Sequence, residues 1–152
     1  MKMESELDEF KRIEDIFNGS LLSSPHVALW TTYIDYIRRR NPVTPDPTSP
    51  ARQIITQVYE FVLDNVGIDF DSGKIWQDYI EFIKSGPGVL GGTSWQDMQK
   101  MDTVRKAFQR AIAVPTGATL EIWREYDKFE LGLNKATVRF HNARNEKRLM
   151  LY

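Results

Sequence analysis

Three copies of one short motif, spaced almost equally along the chain, constrain the fold more than any other feature of this sequence. Each copy consists of an apolar residue, tryptophan, two variable residues and tyrosine. Trp76 follows Trp30 by 46 positions, and Trp123 follows Trp76 by 47. Repeats of this length are typical of stacked helix pairs, in which one pair cannot bury its apolar face alone. The spacing therefore predicts a helical solenoid.

Helix signals lie throughout the chain, whereas strand-like alternation is hard to find. Six segments place apolar residues three and four positions apart, as on one face of a helix. The predicted starts are Ser24-Pro25, Ser49-Pro50, Asp71 or Ser72, and a capping box from Ser94 to Asp97, and the predicted stops are Asn41-Pro42, Gly67 and Pro115. The sequence predicts an all-α fold of about three helix pairs.

The aromatic residues of the motif are expected in the core, because large aromatic side chains bury much apolar area. Tryptophan is predicted to fill the gap between paired helices. A further aromatic residue, Tyr36, Phe82 or Phe129, follows each motif tyrosine by three positions. The predicted core of the repeats is Trp30, Tyr33, Trp76, Tyr79, Phe108, Trp123 and Tyr126.

The Trp-x-x-Tyr helices, together with the segment from Val104 to Ile112 and then Pro115, resemble the HAT (half-a-tetratricopeptide) repeat. The stretches 59–69, 75–82 and 95–115 are similar, more narrowly, to the large HAT scaffold subunit of the pre-mRNA cleavage and polyadenylation machinery. Its relatives include the scaffold of cleavage stimulation factor and the fungal cleavage factor IA subunit. The resemblance implies a right-handed α-α superhelix in a single N-terminal fragment, with units near 10–41, 49–87 and 94–134.

The same resemblance implies a non-catalytic scaffold of mRNA 3′-end processing in the nucleus, with a cytoplasmic pool left open. Its expected partners are other cleavage and polyadenylation subunits. A HAT module of a splicing or ribosomal-RNA processing complex remains an alternative within the same fold. Residues 135–152 depart from the family pattern, so the solenoid is expected to lack a cap there. Exposed apolar surface at that end would favour self-association.

Charge and composition exclude several classes of protein. The formal net charge of −1 argues against a whole-surface preference for nucleic acid, and no apolar run has the length of a membrane span. The chain has no cysteine, so disulfides and thiolate metal sites are excluded. Local basic clusters remain as candidate contacts to RNA phosphates or protein partners: Arg38, Arg39, Arg40, Lys135 and Arg139. The competing interpretation is that these cations complement helix C-terminal carbonyls.

A glycine-rich segment from Gly86 to Gly92 matches the pattern G-x-G-x-x-G, which occurs in dinucleotide-binding loops. That motif needs a preceding strand and an acidic residue about 20 positions further on, and the sequence offers neither. A turn is the favoured interpretation, and a small helical nucleotide-binding domain is the alternative. His26 and His141 are the only histidines, and their spacing supports no metal site. No cofactor and no enzymatic activity are expected.

Overall fold

A computed structural model describes the backbone of residues 2–21, 26–44 and 50–150, and the side chains of residues 11–20, 26–44 and 50–135. The helices are α1 (Lys2–Leu21), α2 (Val27–Arg40), α3 (Pro50–Val66), α4 (Gly73–Lys84), α5 (Trp95–Ile112) and α6 (Thr119–Met150). A short 3-10 turn, Phe70–Ser72, precedes α4. The described ranges contain no β-strand. The predicted all-α fold is confirmed.

The chain divides into two compact units, Met1–Asp69 and Phe70–Tyr152. In the first unit, aromatic rings join the helices. The Phe17 ring of α1 lies 5.5 Å from Tyr33 and 5.6 Å from Tyr36 on α2, measured between centroids. Trp30 on α2 lies 5.6 Å from Phe61 on α3. Trp30 is only 2% exposed, and the burial of its apolar area stabilises the packing of α2 against α3.

The second unit is built around Phe108, which is fully buried on α5. Its ring lies 5.4 Å from both Tyr126 and Phe129 of α6. The Lys84 ammonium group at the end of α4 stands 4.9 Å from the centroid of the same ring. Phe108 therefore contacts residues from both neighbouring helices, and its apolar area stabilises all three together.

The boundary between the two units falls inside the predicted repeat unit 49–87. The reason is that α3 packs against α2, through Trp30 and Phe61, whereas α4 packs against α5. The motif helices α2 and α4 thus each pair with the helix that follows, whereas α6 packs on the preceding helix α5. At the far end, α6 continues as helix beyond residue 134, where the third predicted unit ends, to Met150.

Several predicted helix ends can be compared with the structure. The capping box at α5 is confirmed, since the Ser94 hydroxyl accepts from the Asp97 amide and the Asp97 carboxylate accepts from the Ser94 amide. Ser72 occupies the position before α4, but its side chain makes no capping hydrogen bond. The 3-10 turn before α4 replaces the extended cap that such a bond requires. Ser24-Pro25 and Ser49 lie outside the described residues.

Gly73, at the start of α4, sits against the turn that leads into α6. A β-carbon built on Gly73 would lie 2.6 Å from the Ala118 β-carbon and 2.9 Å from the Thr116 hydroxyl oxygen. Carbon atoms that are not bonded do not approach so closely, so this contact requires a residue with no side chain. Gly73 therefore brings the first turn of α4 close to the 116–118 turn.

Candidate partner-binding surface

The motif residues separate into buried and exposed positions. Trp30, Trp76, Tyr79 and Phe108 are buried, and each is at most 4% exposed. Tyr33 and Tyr126 are half-buried. Burial, with a smaller contribution from the nearby Glu14 charge, raises the pKa of Tyr33. Most of the predicted core residues thus hold helices together and leave little surface for a partner.

Trp123 departs from its predicted core position, because 49% of the residue is exposed. Trp30 is covered by Phe61 of the next helix, and Trp76 by the Arg110 guanidinium group, which lies 5.3 Å from the indole centroid. Within the described side chains, the ring next to Trp123 belongs to Tyr126 of its own helix, at 6.3 Å. Among the described side chains, no ring or cation of another helix lies against Trp123 as Phe61 lies against Trp30 and Arg110 against Trp76.

The basic residues at the end of α2 differ in what they contact. Arg38 donates a hydrogen bond of 3.1 Å to the Tyr59 hydroxyl on α3, and Arg40 forms an ion pair with Glu14 on α1. Arg39 is exposed. Arg38 and Arg40 therefore link helices. Of the three arginines, Arg39 contributes least to helix packing.

Arg52, in the first turn of α3, belongs to the same basic region and was missed by the sequence prediction. Burial, followed by repulsion from the Arg38 guanidinium group, lowers the pKa of Arg52. The two charges are 14 positions apart in sequence, and only the packing of α2 on α3 brings them together. Arg52 is a single charge after the 41–50 loop, so the sequence contained no local signal of this proximity.

The other two predicted contact residues lie on α6. Lys135 is exposed. Arg139 belongs to helix α6, but its side chain is outside the described residues. The two C-terminal cations therefore belong to a different compact unit from the arginines of α2.

The glycine-rich turn between α4 and α5 is closed by side chains of α5. The Asp97 carboxylate accepts a 2.7 Å hydrogen bond from the Val89 amide, and the Lys100 ammonium group donates to the carbonyl oxygens of Gly86 and Gly88, at 2.8 and 3.0 Å. Gly88 and Gly91 have φ angles of 101° and 86°, which favour glycine.

These bonds bear on the nucleotide-binding alternative. A phosphate-binding loop needs free backbone amides and an available lysine. Here a carboxylate occupies the Val89 amide, and hydrogen bonds from Val89 and Ser94 are the main reason that the pKa of Asp97 is lowered. Lys100 is engaged with carbonyl oxygens. The groups of this turn that could bind a phosphate are already engaged in hydrogen bonds, and the Asp97 carboxylate would repel a phosphate placed beside it.

The described residues contain no group of three or more histidine, aspartate or glutamate residues placed to hold a metal ion. None of the helices, over the part of the chain that is described, is long and apolar enough to cross a membrane.

Exposed apolar side chains form the remaining candidate surface. Trp95 and Met98, in the first turn of α5, are 76% and 50% exposed. On α6, Leu120, Trp123 and Leu131 are 63%, 49% and 52% exposed. Large apolar side chains that are exposed together on one helix face are typical of protein-protein contacts. The structure thus favours a surface for macromolecular partners over a pocket for a small ligand.

Comparison with known proteins supplies the wider context. Residues 1–151 match the model of the family described as Suppressor of forked protein (Suf). The chain is 59% identical to the mRNA 3′-end-processing protein rna14 of Aspergillus fumigatus over 138 residues, which are 91% of this chain and 13% of the relative. The Neurospora crassa protein of that name is 56% identical over 139 residues, 91% of this chain and 12% of the relative.

The likeness extends to a relative of lower identity. The rna14 protein of Schizosaccharomyces pombe is 42% identical over 132 residues, covering 87% of this chain and 17% of that relative. The chain therefore spans about an eighth to a sixth of the length of these relatives. The match covers nearly all of this sequence and a small part of each of them.

Proposed function

This chain belongs to the Suppressor of forked family, and from that membership we propose that it serves as a non-catalytic scaffold in pre-mRNA 3′-end cleavage and polyadenylation. The observation that carries the proposal is the match over residues 1–151, together with relatives named for mRNA 3′-end processing. Its partners are other protein subunits of that machinery. Its working place is the nucleus, where pre-mRNA is processed.

The geometry supports a scaffold in two ways. Most of the predicted motif aromatic residues are buried between helices, where they hold the helices in a fixed arrangement. Few of these side chains are therefore available to bind or react with a substrate. The glycine-rich turn is closed by Asp97 and Lys100, which weighs against the nucleotide-binding alternative. What the chain presents is exposed apolar and basic side chains on packed helices.

The test of this role is recovery of partners. Tagged protein is incubated with nuclear extract of Aspergillus fumigatus, and bound proteins are identified by mass spectrometry. Cleavage and polyadenylation factors are expected. The double variant Trp95→Ser, Met98→Ser removes exposed apolar area without touching the core, so it is expected to recover fewer of these factors than the unmodified chain. Recovery of splicing or ribosomal-RNA processing proteins instead would contradict the proposal and support the alternative complex.

We further propose that the basic region of α2 and α3 contacts RNA phosphates without sequence choice, with Lys135 and Arg139 as a second basic region on α6. Arginine is suited to phosphate because its planar group donates two parallel hydrogen bonds. Releasing counterions from RNA makes such binding weaken as salt rises. The proximity of Arg38 and Arg52 concentrates positive charge at one place.

Arg39 is the proper probe of RNA contact, because changing Arg38 or Arg40 also breaks a contact between helices. Arg39→Ala is expected to weaken binding of single-stranded RNA and to flatten its dependence on salt by about one phosphate contact. Fluorescence anisotropy across a salt series measures both. Arg124→Ala, another exposed arginine, controls for net charge. Identical salt slopes for Arg39→Ala and the unmodified chain would end the RNA proposal and leave the scaffold proposal standing.

A further inference from the structure

The segment that follows α2 carries an exposed threonine with a proline directly after it. Thr44 belongs to no helix, and Pro45 is the next residue in the sequence. Proline-directed protein kinases recognise this pair of residues, and their substrates bind in an extended form. A residue that precedes proline is itself held in an extended conformation. Thr44 therefore meets the local requirements of a phosphate acceptor.

The two Ser-Pro pairs of the chain have a structural explanation that Thr44 lacks. Ser24 and Ser49 each precede a proline that the sequence places at a helix start, and Pro50 is the first residue of α3. Pro45 stands five positions before Pro50, so a helix start does not account for it. The pattern at Thr44 is thus better explained by a role outside folding.

Arginines flank this segment on both sides. Arg39 is exposed in the last turn of α2, and Arg52 lies in the first turn of α3. Arg38 stands close enough to Arg52 for its charge to add to the effect of burial in lowering the pKa of Arg52. A phosphate placed opposite a cluster of arginines forms charge-assisted hydrogen bonds with them. The connection between α2 and α3 thus begins and ends beside groups that bind phosphate.

The covalent chain limits how far a phosphate on Thr44 can lie from these arginines. The Asn41 side-chain amide donates a 2.9 Å hydrogen bond to the Ile37 carbonyl oxygen at the end of α2. Thr44 is three residues further on, a span of at most about 11 Å. Arginine side chains are long and flexible, so a phosphate on Thr44 remains within reach of Arg39.

We propose that Thr44 is an acceptor for a proline-directed protein kinase, and that its phosphate pairs with the arginines of α2 and α3 and displaces RNA from them. The inference rests on the RNA contact proposed above. In the modification, the Thr44 hydroxyl oxygen forms a bond to the γ-phosphorus of ATP, and the bond from that phosphorus to ADP breaks. The hydroxyl proton passes to a base of the kinase. The chain gains roughly two negative charges at neutral pH.

Phosphate incorporation is the first test. The chain with Ser24→Ala and Ser49→Ala keeps Thr44 as its one Ser/Thr-Pro pair. It is incubated with ATP and either a purified cyclin-dependent kinase or a purified mitogen-activated protein kinase. Peptide mass spectrometry is expected to locate a phosphate on Thr44, and to find none there when Thr44→Ala is added. Absence of phosphate on Thr44 with both kinases would overturn the proposal.

Phosphorus NMR shows whether the arginines hold the phosphate. Guanidinium groups favour the dianion, so the second pKa of the phosphothreonine is expected below the value of about 6 of an unpaired phosphorylated side chain. Arg39→Ala and Arg52→Ala are each expected to raise this pKa toward that value. A pKa that neither substitution changes would overturn the pairing. This measurement does not depend on RNA.

RNA binding tests the displacement. Phosphorylation of Thr44 is expected to weaken binding of single-stranded RNA about 25-fold at roughly 0.1 M salt and to reduce the salt slope by about 1.4, the value for two phosphate contacts. The matched control is phosphoserine installed at position 24, which adds the same charge before the other end of α2, a helix of 14 residues. That helix is about 21 Å long, well beyond the Debye length of about 8 Å at physiological salt, so RNA binding is expected to stay unchanged.

The outcomes separate this inference from the RNA proposal. If Arg39→Ala leaves the salt slope of the unmodified chain unchanged, the RNA contact itself is wrong, and the phosphorus titration still decides the pairing. If Arg39→Ala does flatten the slope, but phosphorylated and unmodified chains bind RNA equally, the displacement is overturned while the RNA contact stands. An equal loss of binding from phosphoserine at position 24 would also overturn it, because the effect would then be one of net charge.

Discussion

Helices α4 and α6 carry the same motif in the same compact unit, yet they use it differently. Both bury the apolar residue before the tryptophan, Ile75 or Ile122, and the aromatic residue six positions after it, Phe82 or Phe129. Only α4 also buries its tryptophan. The comparison shows that both copies of the motif bury one side of their helix. Burial of the tryptophan requires a second helix on the other side.

The clearest way to break this comparison is to remove each tryptophan. Trp76→Ala is expected to destabilise the fold by about 3–5 kcal/mol, because it empties a buried site. Trp123→Ala is expected to cost about 1 kcal/mol, since half of its area is already in water. Urea unfolding followed by circular dichroism measures both. Equal losses for the two variants would contradict the assigned difference in packing.

A second difference lies seven positions after the tryptophan, where α4 has Ile83 and α6 has Glu130. Glu130 receives two hydrogen bonds from Arg105 of α5, of 2.6 and 3.0 Å, and these bonds lower the pKa of the carboxyl group. The attachment of α6 to α5 is therefore electrostatic in part. At the corresponding position, α4 has the half-buried Ile83, which carries no charge.

The ion pair makes the attachment of α6 dependent on pH. Because the folded pKa of Glu130 lies below its ordinary value of 4.5, the contribution is complete above that value and is lost as pH falls through the folded pKa. Glu130→Gln is expected to cost about 1 kcal/mol at neutral pH, since the pair is partly exposed, and nothing in strong acid.

Unfolding of the Glu130→Gln variant at several pH values measures this contribution. Asp102→Asn, which removes the more exposed ion pair with Lys106, is the matched control and is expected to have a smaller effect at neutral pH. A deficit in Glu130→Gln that persisted unchanged in acid would show that the pair does not act through its charge.

The turn between α4 and α5 offers a more local way to sharpen the comparison. Lys100→Met is expected to leave the helices intact while amides near Gly86 and Gly88 exchange faster, because the carbonyl oxygens lose their donor. Hydrogen exchange measured by mass spectrometry resolves the segment 85–93. Lys106→Met, on an exposed part of the same helix, is the control. Unchanged exchange in Lys100→Met would mean that Asp97 closes the turn without help.

The smallest expected effect is at Tyr36, which stands where α4 and α6 have phenylalanine. The Tyr36 hydroxyl is buried without a hydrogen-bond partner among the described residues. Tyr36→Phe is therefore expected to leave stability unchanged or to raise it by up to about 1 kcal/mol. Thermal unfolding measures this shift, with Tyr59→Phe as a control that loses the bond to Arg38. A clear loss of stability in Tyr36→Phe would reveal a partner for the hydroxyl.

Much of the fold could be predicted from the sequence because its signals are local. Helix periodicity, the capping box at Ser94 and the stops near Asn41 and Gly67 depend on residues within one or two turns. The repeat itself was visible because tryptophan is rare and its spacing is regular. These signals specify which segments become helices and where most of them begin and end.

The features that were missed depend on contacts between distant segments. The exposure of Trp123 reflects what lies outside its helix, and the proximity of Arg38 and Arg52 reflects the packing of α2 on α3. Glu130 gave a usable signal, since a carboxylate stands where the other copies of the motif have isoleucine. A substitution that breaks a repeat pattern is thus the place to look for a function or contact that the repeat alone does not predict.

The close contact at Gly73 limits how these repeats can be exchanged. In the other two copies the same position, three before the tryptophan, holds Val27 or Leu120. Grafting either first turn onto α4 would place a branched side chain where even a methyl group meets Ala118. Recombination between copies is therefore blocked at this point. A design that exchanges repeats of this chain must therefore transfer α4 and the 116–118 turn together.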